Sequence, residues 1–532
     1  MDPTQELRLE IAKRRTFAII SHPDAGKTTL TEKLLLYSGQ IHTAGMVKGR
    51  KGRKAAASDW MAMEQERGIS ITSSAMQFRY KDAIINVLDT PGHEDFSEDT
   101  YRTLTAADCA IMVIDASKGV EKQTRKLFEV CRLRNIPVLT FINKMDMPAR
   151  EPLDLMNEVE NVLQIHSYAM NWPIGSSKAF QGVIERQTKE ALFFSKTSIG
   201  GSQKAEIAKL PYPSKEATAK IGADLSESLN NELELLDLAG NAFSEADFLA
   251  GKVTPVFFAS ALTNFGVEPF FDAFIHLAPS PHARVALLPD GTETFIDPAL
   301  PFSGYIFKLQ ANMDKRHRDS MAFIRICSGK FERDLVVKHQ RLNKEVRLSR
   351  PHSMMAGERT TLDVAYAGDI IGVINPSLFA IGDTLSVKGN FSYKPLPQFQ
   401  PEMFARIYPK DVSRRKGFDK GCMQLIDEGA IQMLRSPSDE HDIIFAAVGQ
   451  LQFEVMQYRL KDEYSVETTL TRLPFDCSAW IEGDLATFSK TTNSLIMRDR
   501  QNRPIILFPS QWDKQYAMRQ NPHHKLLDIG GQ

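Results

Sequence analysis

Residues suited to binding a chain of phosphates lie close together near the start of this 532-residue sequence. Phe17 to Ile20 form an apolar, partly β-branched run, which is the pattern of a buried parallel strand. A short turn leads from that strand into Lys27, where a helical pattern begins. The backbone N–H groups of such a turn and the N-terminus of such a helix both attract anions. The predicted phosphate-binding loop comprises Ser21, His22, Pro23, Asp24, Ala25, Gly26, Lys27 and Thr28.

Two of these side chains have chemical tasks of their own in a P-loop. Lys27 is expected to reach the β- and γ-phosphates and to stabilise the charge that develops there during hydrolysis. The Thr28 hydroxyl is expected to bind Mg²⁺. The first position of the pattern usually holds Gly and here holds Ser21, so the residues downstream decide whether the prediction stands.

A second set of polar residues follows the predicted strand from Ala83 to Leu88. Asp89, at the end of that strand, is expected to hold Mg²⁺ through water, as a Walker B carboxylate does. Gly92 has no Cβ, so its N–H can approach the γ-phosphate. His93 stands where a GTPase needs a residue to orient the attacking water, and we predict that it is catalytic together with Lys27. The predicted binding turn comprises Asp89, Thr90, Pro91, Gly92 and His93.

The nucleotide base is predicted from the end of a later strand. Cys109 to Ala116 and Ile136 to Ile142 are apolar strands with a helical pattern between them, and this alternation predicts a parallel α/β sheet. The Asp146 carboxylate can accept from the ring N–H and the amine of guanine, whereas adenine would leave it unpaired. Asn143 can bridge the base and the P-loop, and the stem of Lys144 can cover the base plane. The sequence therefore predicts GTP or GDP as the ligand of Asn143, Lys144, Met145 and Asp146.

Together these motifs resemble those of the translational GTPases of the elongation factor G group. The strings Ser-His-Pro-Asp-Ala-Gly-Lys-Thr-Thr and Glu-Arg-Gly-Ile-Ser-Ile resemble the release-factor branch of that group. The resemblance implies that the hydroxyl of Ser70 completes the Mg²⁺ shell in the first switch, with Thr72 as the alternative. It also implies that the last GTPase motif follows the strand Val253 to Phe258 and meets the guanine carbonyl oxygen with a backbone N–H. That motif is Ser260, Ala261 and Leu262.

Three domains are expected from the length and from changes in pattern along the chain. Residues 1–280 would form the P-loop GTPase domain with its parallel sheet and an insertion at about 167–250. Residues 281–400 would form a small β-barrel, and residues 401–532 an α+β domain. Val448 to Val455 resembles a string in the third domain of elongation factor G.

Secondary structure is predicted within each of these regions. The insertion is expected to have a loop-like centre near 198–214, followed by a helix whose leucines at 225, 229, 233 and 236 pack in the core. The predicted barrel strands span 304–309, 321–327, 361–365 and 370–374. The last domain is predicted to run through a strand at 403–408, a helix at 416–434, a strand at 443–448 and a helix at 449–460.

Composition places the chain among ordinary cytoplasmic proteins. Lys plus Arg (65) nearly balances Asp plus Glu (66), so no overall field favours a nucleic-acid partner, DNA included, and any such contact must come from local patches. The five cysteines lack metal-ligand or disulfide spacing, and no window is apolar enough for a membrane span. Two basic runs could be either solvated loops or nucleic-acid contacts: Met46 to Lys54, which could touch phosphate or RNA, and Lys315 to Arg318, which could face RNA. Lys410 to Lys416 is another basic patch, of modest specificity.

The resemblance implies a ribosome-dependent GTPase that recycles class I release factors and is a monomer off the ribosome. Another ribosomal GTPase, of the elongation or ribosomal-protection type, is the nearest alternative, and the chain is expected to end too soon to hold the further domains of elongation factor G. A GTP-binding scaffold is disfavoured by His93, and an ATP-dependent kinase by Asp146.

The chain ends in Gly530-Gly531-Gln532, a tripeptide that class I release factors use for peptide release. That chemistry needs a supported loop, and a terminus usually frays. We therefore expect an unsupported tail and a chance match.

Overall fold

The computed structural model describes residues 2–41, 74–91, 93–195, 203–311, 320–349, 351–355, 358–375, 377–396, 398–439 and 441–530. The predicted Mg²⁺ ligand Ser70, its alternative Thr72 and the predicted γ-phosphate contact Gly92 lie outside these ranges. So do the basic runs Met46 to Lys54 and Lys315 to Arg318. Among the helices in these ranges, none is long and apolar enough to cross a membrane.

Within the described residues, the first domain contains eleven strands in two sheets. Seven strands form the main sheet in the order β2-β3-β1-β4-β5-β11-β6. All of these neighbours pair in parallel except β2 and β3, so the predicted parallel α/β sheet is confirmed with one antiparallel edge strand. The strands are β1 (Arg14–Ser21), β2 (Ser74–Tyr80), β3 (Ala83–Asp89), β4 (Cys109–Asp115), β5 (Val138–Asn143), β6 (His166–Ala169), β7 (Asn171–Ile174), β8 (Gly182–Glu185), β9 (Glu190–Phe194), β10 (Ile207–Pro211) and β11 (Val253–Phe258).

Helices cover both faces of the main sheet, which explains why its strands read as continuous apolar runs. All seven residues of β4 are buried, for example. Phe270, Phe271 and Phe274 of the last helix pack with Phe17 on one face, while Leu127 packs on the other. The helices are α1 (Pro3–Ala12), α2 (Lys27–Tyr37), α3 (Ser97–Thr105), α4 (Lys122–Leu133), α5 (Pro152–Leu163), α6 (Lys215–Ile221), α7 (Ala223–Ala239), α8 (Glu245–Leu249) and α9 (Val267–Leu277).

The insertion is more ordered than the sequence predicts. Strands β7 to β10 form an antiparallel sheet in the order β10-β9-β8-β7, and β10 occupies part of the predicted loop. Its residues are exposed or half-buried, because it is an edge strand, and this hid it from the apolar pattern. Residues 167–169 belong to β6 of the main sheet rather than to the insertion. The leucine stripe of α7 does pack in the core, with Leu229 and Leu236 buried.

The second domain consists of short antiparallel strands, and its main sheet has the barrel-like order β18-β17-β23-β14-β15-β22-β19-β20. The predicted strand at 361–365 is wrong, because the chain turns at Asp363 and its two halves pair with different partners, β19 and β16. The strands are β12 (Arg284–Leu287), β13 (Glu293–Ile296), β14 (Ser303–Ala311), β15 (Ser320–Ser328), β16 (Lys330–Glu332), β17 (Leu335–His339), β18 (Lys344–Leu348), β19 (His352–Met355), β20 (Glu358–Thr361), β21 (Val364–Tyr366), β22 (Ile370–Asn375), β23 (Thr384–Ser386) and β24 (Ser392–Tyr393).

The last domain is α+β, as predicted, and is built on the sheet β29-β26-β28-β27-β31-β32-β30-β33. Its first helix is shorter than predicted, because Gly429 adopts a left-handed φ of 68° and the chain then enters β27. The helices are α10 (Arg415–Asp427), α11 (Gln450–Tyr464) and α12 (Gln511–Gln520). The strands are β25 (Gln398–Phe399), β26 (Met403–Pro409), β27 (Gln432–Arg435), β28 (Ile443–Ala447), β29 (Thr468–Arg472), β30 (Cys477–Glu482), β31 (Leu495–Arg498), β32 (Pro504–Phe508), β33 (Lys525–Leu527) and β34 (Ile529–Gly530).

The tail is not unsupported where the structure describes it. Strand β34 pairs antiparallel with β25, so that Gly530 lies opposite Gln398 and Ile529 opposite Phe399. The expectation of a frayed end is therefore wrong for these two residues, and the reason is a backbone pairing with a segment about 130 positions earlier (530 minus 398 is 132, and 529 minus 399 is 130).

The barrel contacts the amino-terminal ends of the main-sheet strands. The Asp108 carboxylate, which precedes β4, accepts hydrogen bonds from Arg325 at 2.5 Å and from Arg284 at 3.0 Å. The Thr16 hydroxyl donates to the carbonyl oxygen of Gly368 at 2.6 Å. The phosphate-binding loop leaves the opposite end of the same sheet, so the barrel lies away from it.

Candidate active site

The phosphate-binding loop connects the end of β1 at Ser21 with the start of α2 at Lys27. Two of its residues have a left-handed backbone, Asp24 with φ 67° and Gly26 with φ 105°. Gly26 is the N-cap of α2, and a Cβ there would collide with the side-chain amide of Asn143. The tight turn therefore places the N-terminus of α2, which attracts anions, beside the residues predicted to read the base.

Lys27 and Asp89 meet beside this loop. The Lys27 ammonium forms an ion pair with the Asp89 carboxylate, and both side chains are buried. The neighbouring Thr90 hydroxyl donates to the carbonyl oxygen of Ile19 at 2.6 Å, which fixes the turn against β1. The ammonium predicted to bind phosphate and the carboxylate predicted to bind Mg²⁺ thus lie together, and half-buried Thr28 follows Lys27 in the first turn of α2.

His22 points toward a helix that the sequence did not associate with the loop. Its backbone N–H donates to the Thr124 hydroxyl at 3.1 Å, and its Nε2 lies 3.3 Å from the Glu121 carboxylate. Ser21 is buried beside it at the end of β1. The contacts with Thr124 and Glu121 fix the path of the phosphate-binding loop. No local sequence pattern predicts these contacts.

Asn143 links three of the predicted motifs. Its Nδ2 donates to the carbonyl oxygen of Ala25 in the phosphate-binding loop at 2.9 Å. Its Oδ1 accepts from the backbone N–H of Ala261 at 2.9 Å. One buried amide therefore holds the phosphate-binding loop, the end of β5 and the turn after β11 in a fixed arrangement.

Lys144 is held by a carboxylate that the sequence reasoning missed. Its ammonium donates to the Asp24 carbonyl oxygen at 2.6 Å and to the Asp115 carboxylate at 2.7 Å. Burial would raise the pKa of Asp115, but hydrogen bonds from Lys144 and Ser117 outweigh it and lower the pKa below its ordinary value. Asp115 ends β4 directly opposite Asn143, so its position at a strand end is the signal that could have found it.

Asp146 supplies an acceptor that no described protein group satisfies. Its Oδ1 is buried and has no hydrogen-bond partner among the described residues. A buried carboxylate oxygen without a donor is costly, by about 1–3 kcal/mol or more. The ring N–H and amine of a guanine would satisfy it, so the atom fits the ligand that the sequence predicts.

The other residues predicted to bind the base, Ser260, Leu262 and Met145, differ in burial and in hydrogen bonding. Ser260 is buried, and its hydroxyl accepts from the Thr263 N–H at 3.2 Å, while Leu262 is 43% exposed. Met145 is also predicted to contact the nucleotide. Its side chain lies in the apolar core with Trp172, and its N–H and C=O pair with Ala259 and Ser177.

His93 follows β3 at the same end of the sheet as the phosphate-binding loop. Its side chain is 41% exposed, and its Nδ1 lies 3.2 Å from an oxygen of the Asp95 carboxylate. Pro91 precedes it, and the Pro91 carbonyl oxygen accepts from the Thr100 hydroxyl of α3 at 3.2 Å. The side chain of His93 is thus anchored at Nδ1, while much of its surface stays accessible.

Mg²⁺ chemistry is compatible with the donors present. Across the described ranges, no group of three or more His, Cys, Asp and Glu side chains could hold a metal ion alone. Mg²⁺ that binds with a nucleotide needs only one or two protein oxygens, because phosphates and water supply the rest. Thr28 and Asp89 are donors of that kind.

The fold and the site define a P-loop GTPase domain followed by a barrel and an α+β domain, the architecture of a translational GTPase. Comparison with protein families agrees along the chain. Residues 12–280 match the elongation factor Tu GTP binding domain, and residues 301–388 match elongation factor G domain 2. Residues 393–518 match the C-terminal domain of class II release factor RF3.

Curated relatives are similar over nearly the whole chain. Peptide chain release factor 3 of Synechocystis sp. is 52% identical over 96% of this chain and 93% of its own length. The protein of the same name from Nostoc punctiforme is 50% identical over 98% and 96%. The chain belongs to the peptide chain release factor 3 family. It is a GTPase of translation termination that binds guanine nucleotide and hydrolyses GTP.

A solved structure supports the fold alone. The crystal structure of ttk003000868 from Thermus thermophilus has a TM-score of 0.68 and 19% identity with this chain. The match covers 92% of this chain and 72% of that one.

Proposed function

We propose that this GTPase acts on the ribosome, after peptide release, to promote the dissociation of class I release factors. The observation that carries the proposal is the near-full-length similarity to peptide chain release factor 3, combined with a nucleotide site whose base-reading residues are held together by Asn143. The protein would act as a cytoplasmic monomer that binds the ribosome and contacts no DNA.

Nucleotide binding would begin with the base and the phosphates. Asp146 would accept the guanine donors, the Lys144 stem would cover the base, and the Ala261 and Leu262 backbone would face the guanine carbonyl oxygen. Lys27 would exchange its pairing with Asp89 for the β- and γ-phosphates. Mg²⁺, when bound, would neutralise phosphate charge, and its protein ligands would be Thr28, Ser70 and, through water, Asp89.

Hydrolysis would then need an oriented water. His93 would hold it in line with the bond between the γ-phosphorus and the β–γ bridging oxygen. As the water oxygen bonds to phosphorus, that bridge breaks, GDP keeps the bond electrons, and the water protons leave with phosphate and solvent. Loss of the γ-phosphate would release the contacts of Gly92 and Ser70 and so change the switch segments.

The test uses ribosomes halted at a stop codon, with the peptide already released and a labelled class I factor still bound. The departure of that factor is timed with GTP, with and without this protein. Clear acceleration supports the proposal. Intact ribosome-stimulated hydrolysis without acceleration would move the function to another translation step, such as that of an elongation or ribosomal-protection factor.

The variant His93→Ala serves as the matched control in the same assay. We expect it to bind GTP with near-normal affinity and to lose about a hundredfold or more of stimulated hydrolysis. Unchanged hydrolysis in His93→Ala would rule out the role assigned to His93.

A further inference from the structure

The carboxylate of Asp95 lies between the imidazole of His93 and a helix of the last domain. One of its oxygens is 3.2 Å from Nδ1 of His93. The other accepts from the backbone N–H of Leu451 at 2.6 Å. Asp95 is only 15% exposed, so these two contacts occupy much of its polar surface.

The contact with Leu451 caps helix α11 from another domain. The first N–H groups of a helix have no partner within it, and a carboxylate there also gains from the helix dipole. Gly449 precedes the helix in an ordinary extended conformation. A Cβ on Gly449 would collide with the Asp95 carboxylate, so the absence of a side chain makes room for the cap.

Apolar packing beside the cap keeps it in place. Phe96 packs against Leu451 and Val455 of α11, all three of them buried, with Tyr458 at the margin. The face of α11 that carries Leu451 and Val455 therefore covers the residue next to Asp95 rather than the core of its own domain.

Further polar contacts continue along α3. Glu98 of α3 pairs with Arg102 at 2.6 Å, and the Arg102 guanidinium lies 3.4 Å from the carbonyl oxygens of Glu428 and Gly429. The position of Asp95 is thus set from both domains.

The geometry points to Asp95 as a positioning residue for His93, set in place by the N-terminus of α11. This inference rests on the proposed water-orienting role of His93. The backbone N–H of Asp95 donates to the same Nδ1 at 3.3 Å, so Asp95 contacts this nitrogen through both its main chain and its carboxylate. An ionised carboxylate is the stronger partner, so when Nδ1 carries the hydrogen, that hydrogen is donated to the carboxylate and the bond from the backbone N–H is given up. Nε2 is then the nitrogen left to accept a hydrogen bond from water.

The consequence is that the last domain contributes to the hydrolysis geometry without touching the nucleotide. When α11 is docked against the first domain, its N-terminus holds the Asp95 carboxylate in place, and the carboxylate holds the His93 imidazole. When the cap is lost, the ring can rotate, and misplacement of a reacting group by about 1 Å can cost up to about a hundredfold in rate.

The experiment measures kcat and KM for ribosome-stimulated GTP hydrolysis in the full chain, with equilibrium GTP binding measured separately. We expect Asp95→Ala to lower kcat by about tenfold or more while the affinity for GTP and the KM for ribosomes stay within about twofold. Gly449→Ala should lower kcat in the same way, because its methyl group displaces the carboxylate while its own backbone is unstrained. In the Asp95→Ala background, Gly449→Ala should add nothing.

Two further variants separate positioning from general damage. Asp95→Asn keeps the size and an acceptor for the cap, so it should recover part of kcat. In the His93→Ala background, Asp95→Ala should have no further effect. An equal loss with and without His93 would show that Asp95 is merely structural and would overturn the inference.

The outcome also distinguishes this inference from the proposed function. If His93→Ala lowers stimulated hydrolysis but Asp95→Ala and Gly449→Ala leave kcat unchanged, the inference fails alone. If His93→Ala itself has no effect, the assigned role of His93 fails and the inference fails with it. Urea unfolding of each variant identifies any that do not fold, and Gly449→Ala provides the test if Asp95→Ala is among them.

Discussion

The first domain meets its two neighbours at opposite ends of its central sheet, and the two contacts differ in chemistry. The barrel contact, at the amino-terminal ends of the strands, combines a buried ion-pair network around Asp108 with a large apolar cluster. The contact with the last domain, at the nucleotide end, begins two residues after His93 with a helix cap and a small apolar cluster. The second adjoins the turn that carries His93, a segment that the nucleotide is expected to move. We therefore infer that the barrel contact stays the same whether GTP or GDP is bound, and we call it the fixed joint. The contact with the last domain is inferred to change with the nucleotide, and we call it the responsive joint.

The largest effect is expected from breaking the fixed joint. Asp108→Ala leaves the guanidinium groups of Arg325 and Arg284 buried without their carboxylate. Removing one partner of a buried ion pair costs about 3–5 kcal/mol. Urea unfolding should show that loss, while GTP affinity stays near that of the unaltered chain.

The matched control for Asp108→Ala is Glu129→Ala, which removes an exposed ion pair with Arg132 on α4. We expect it to cost at most about 0.5 kcal/mol. An equal, small loss in both variants would contradict the description of the barrel contact as a fixed joint.

A somewhat smaller effect is expected at the nucleotide end. Asp146→Ala removes the buried acceptor for guanine, and the loss of a charged hydrogen-bond partner costs about 1.5–3 kcal/mol. GTP binding, measured by fluorescence titration, should therefore weaken by roughly 10- to 150-fold. The unfolding free energy of the nucleotide-free chain should not fall. A variant that still prefers GTP to ATP by the original factor would refute the assignment of Asp146.

The pH dependence of stability tests whether the ionised Asp108 carboxylate stabilises the barrel contact. Burial would raise the pKa of Asp108, but the charges of Arg325 and Arg284 outweigh it and hold the pKa below its ordinary value. A carboxylate with a lowered folded-state pKa stabilises the protein above its unfolded pKa of about 3.9, and the gain disappears as the pH falls through the folded value.

The corresponding variant is Asp108→Asn, which cannot ionise. It should be less stable than the unaltered chain at pH 6, and the gap in unfolding free energy should narrow as the pH is lowered below about 4. Urea titrations at several pH values measure that gap. A gap that stays constant with pH would show that the ionised carboxylate is not what stabilises the barrel contact.

The residues predicted to bind the guanine base could be found in the sequence because they directly follow apolar strands. Parallel strands end at the same edge of a sheet, so such residues lie together. Asn143 and Asp115 lie opposite each other for that reason, although only Asn143 has a motif to announce it. Strand β10 was missed because an exposed edge strand lacks an apolar pattern. The end of α10 was misplaced because Gly429 stops the helix within an otherwise continuous helical pattern.

Contacts between domains could not be predicted from the sequence. Asp95 and Leu451 are 356 positions apart, and no sequence pattern predicts that they are in contact. The helix itself was predicted, but the packing of its Leu451 and Val455 against Phe96 was not. Such pairings depend on how whole domains dock, which short-range periodicity does not encode.

The most direct test of the two-joint account is amide hydrogen exchange in the full chain, compared between its complexes with GDP and with a non-hydrolysable GTP analogue. The account predicts that exchange at the start of α11, around Leu451, differs between the two states. It predicts equal exchange at the barrel turn around Gly368 and Asp369. Equal exchange around Leu451 in both states, or a change confined to the barrel turn, would contradict the account.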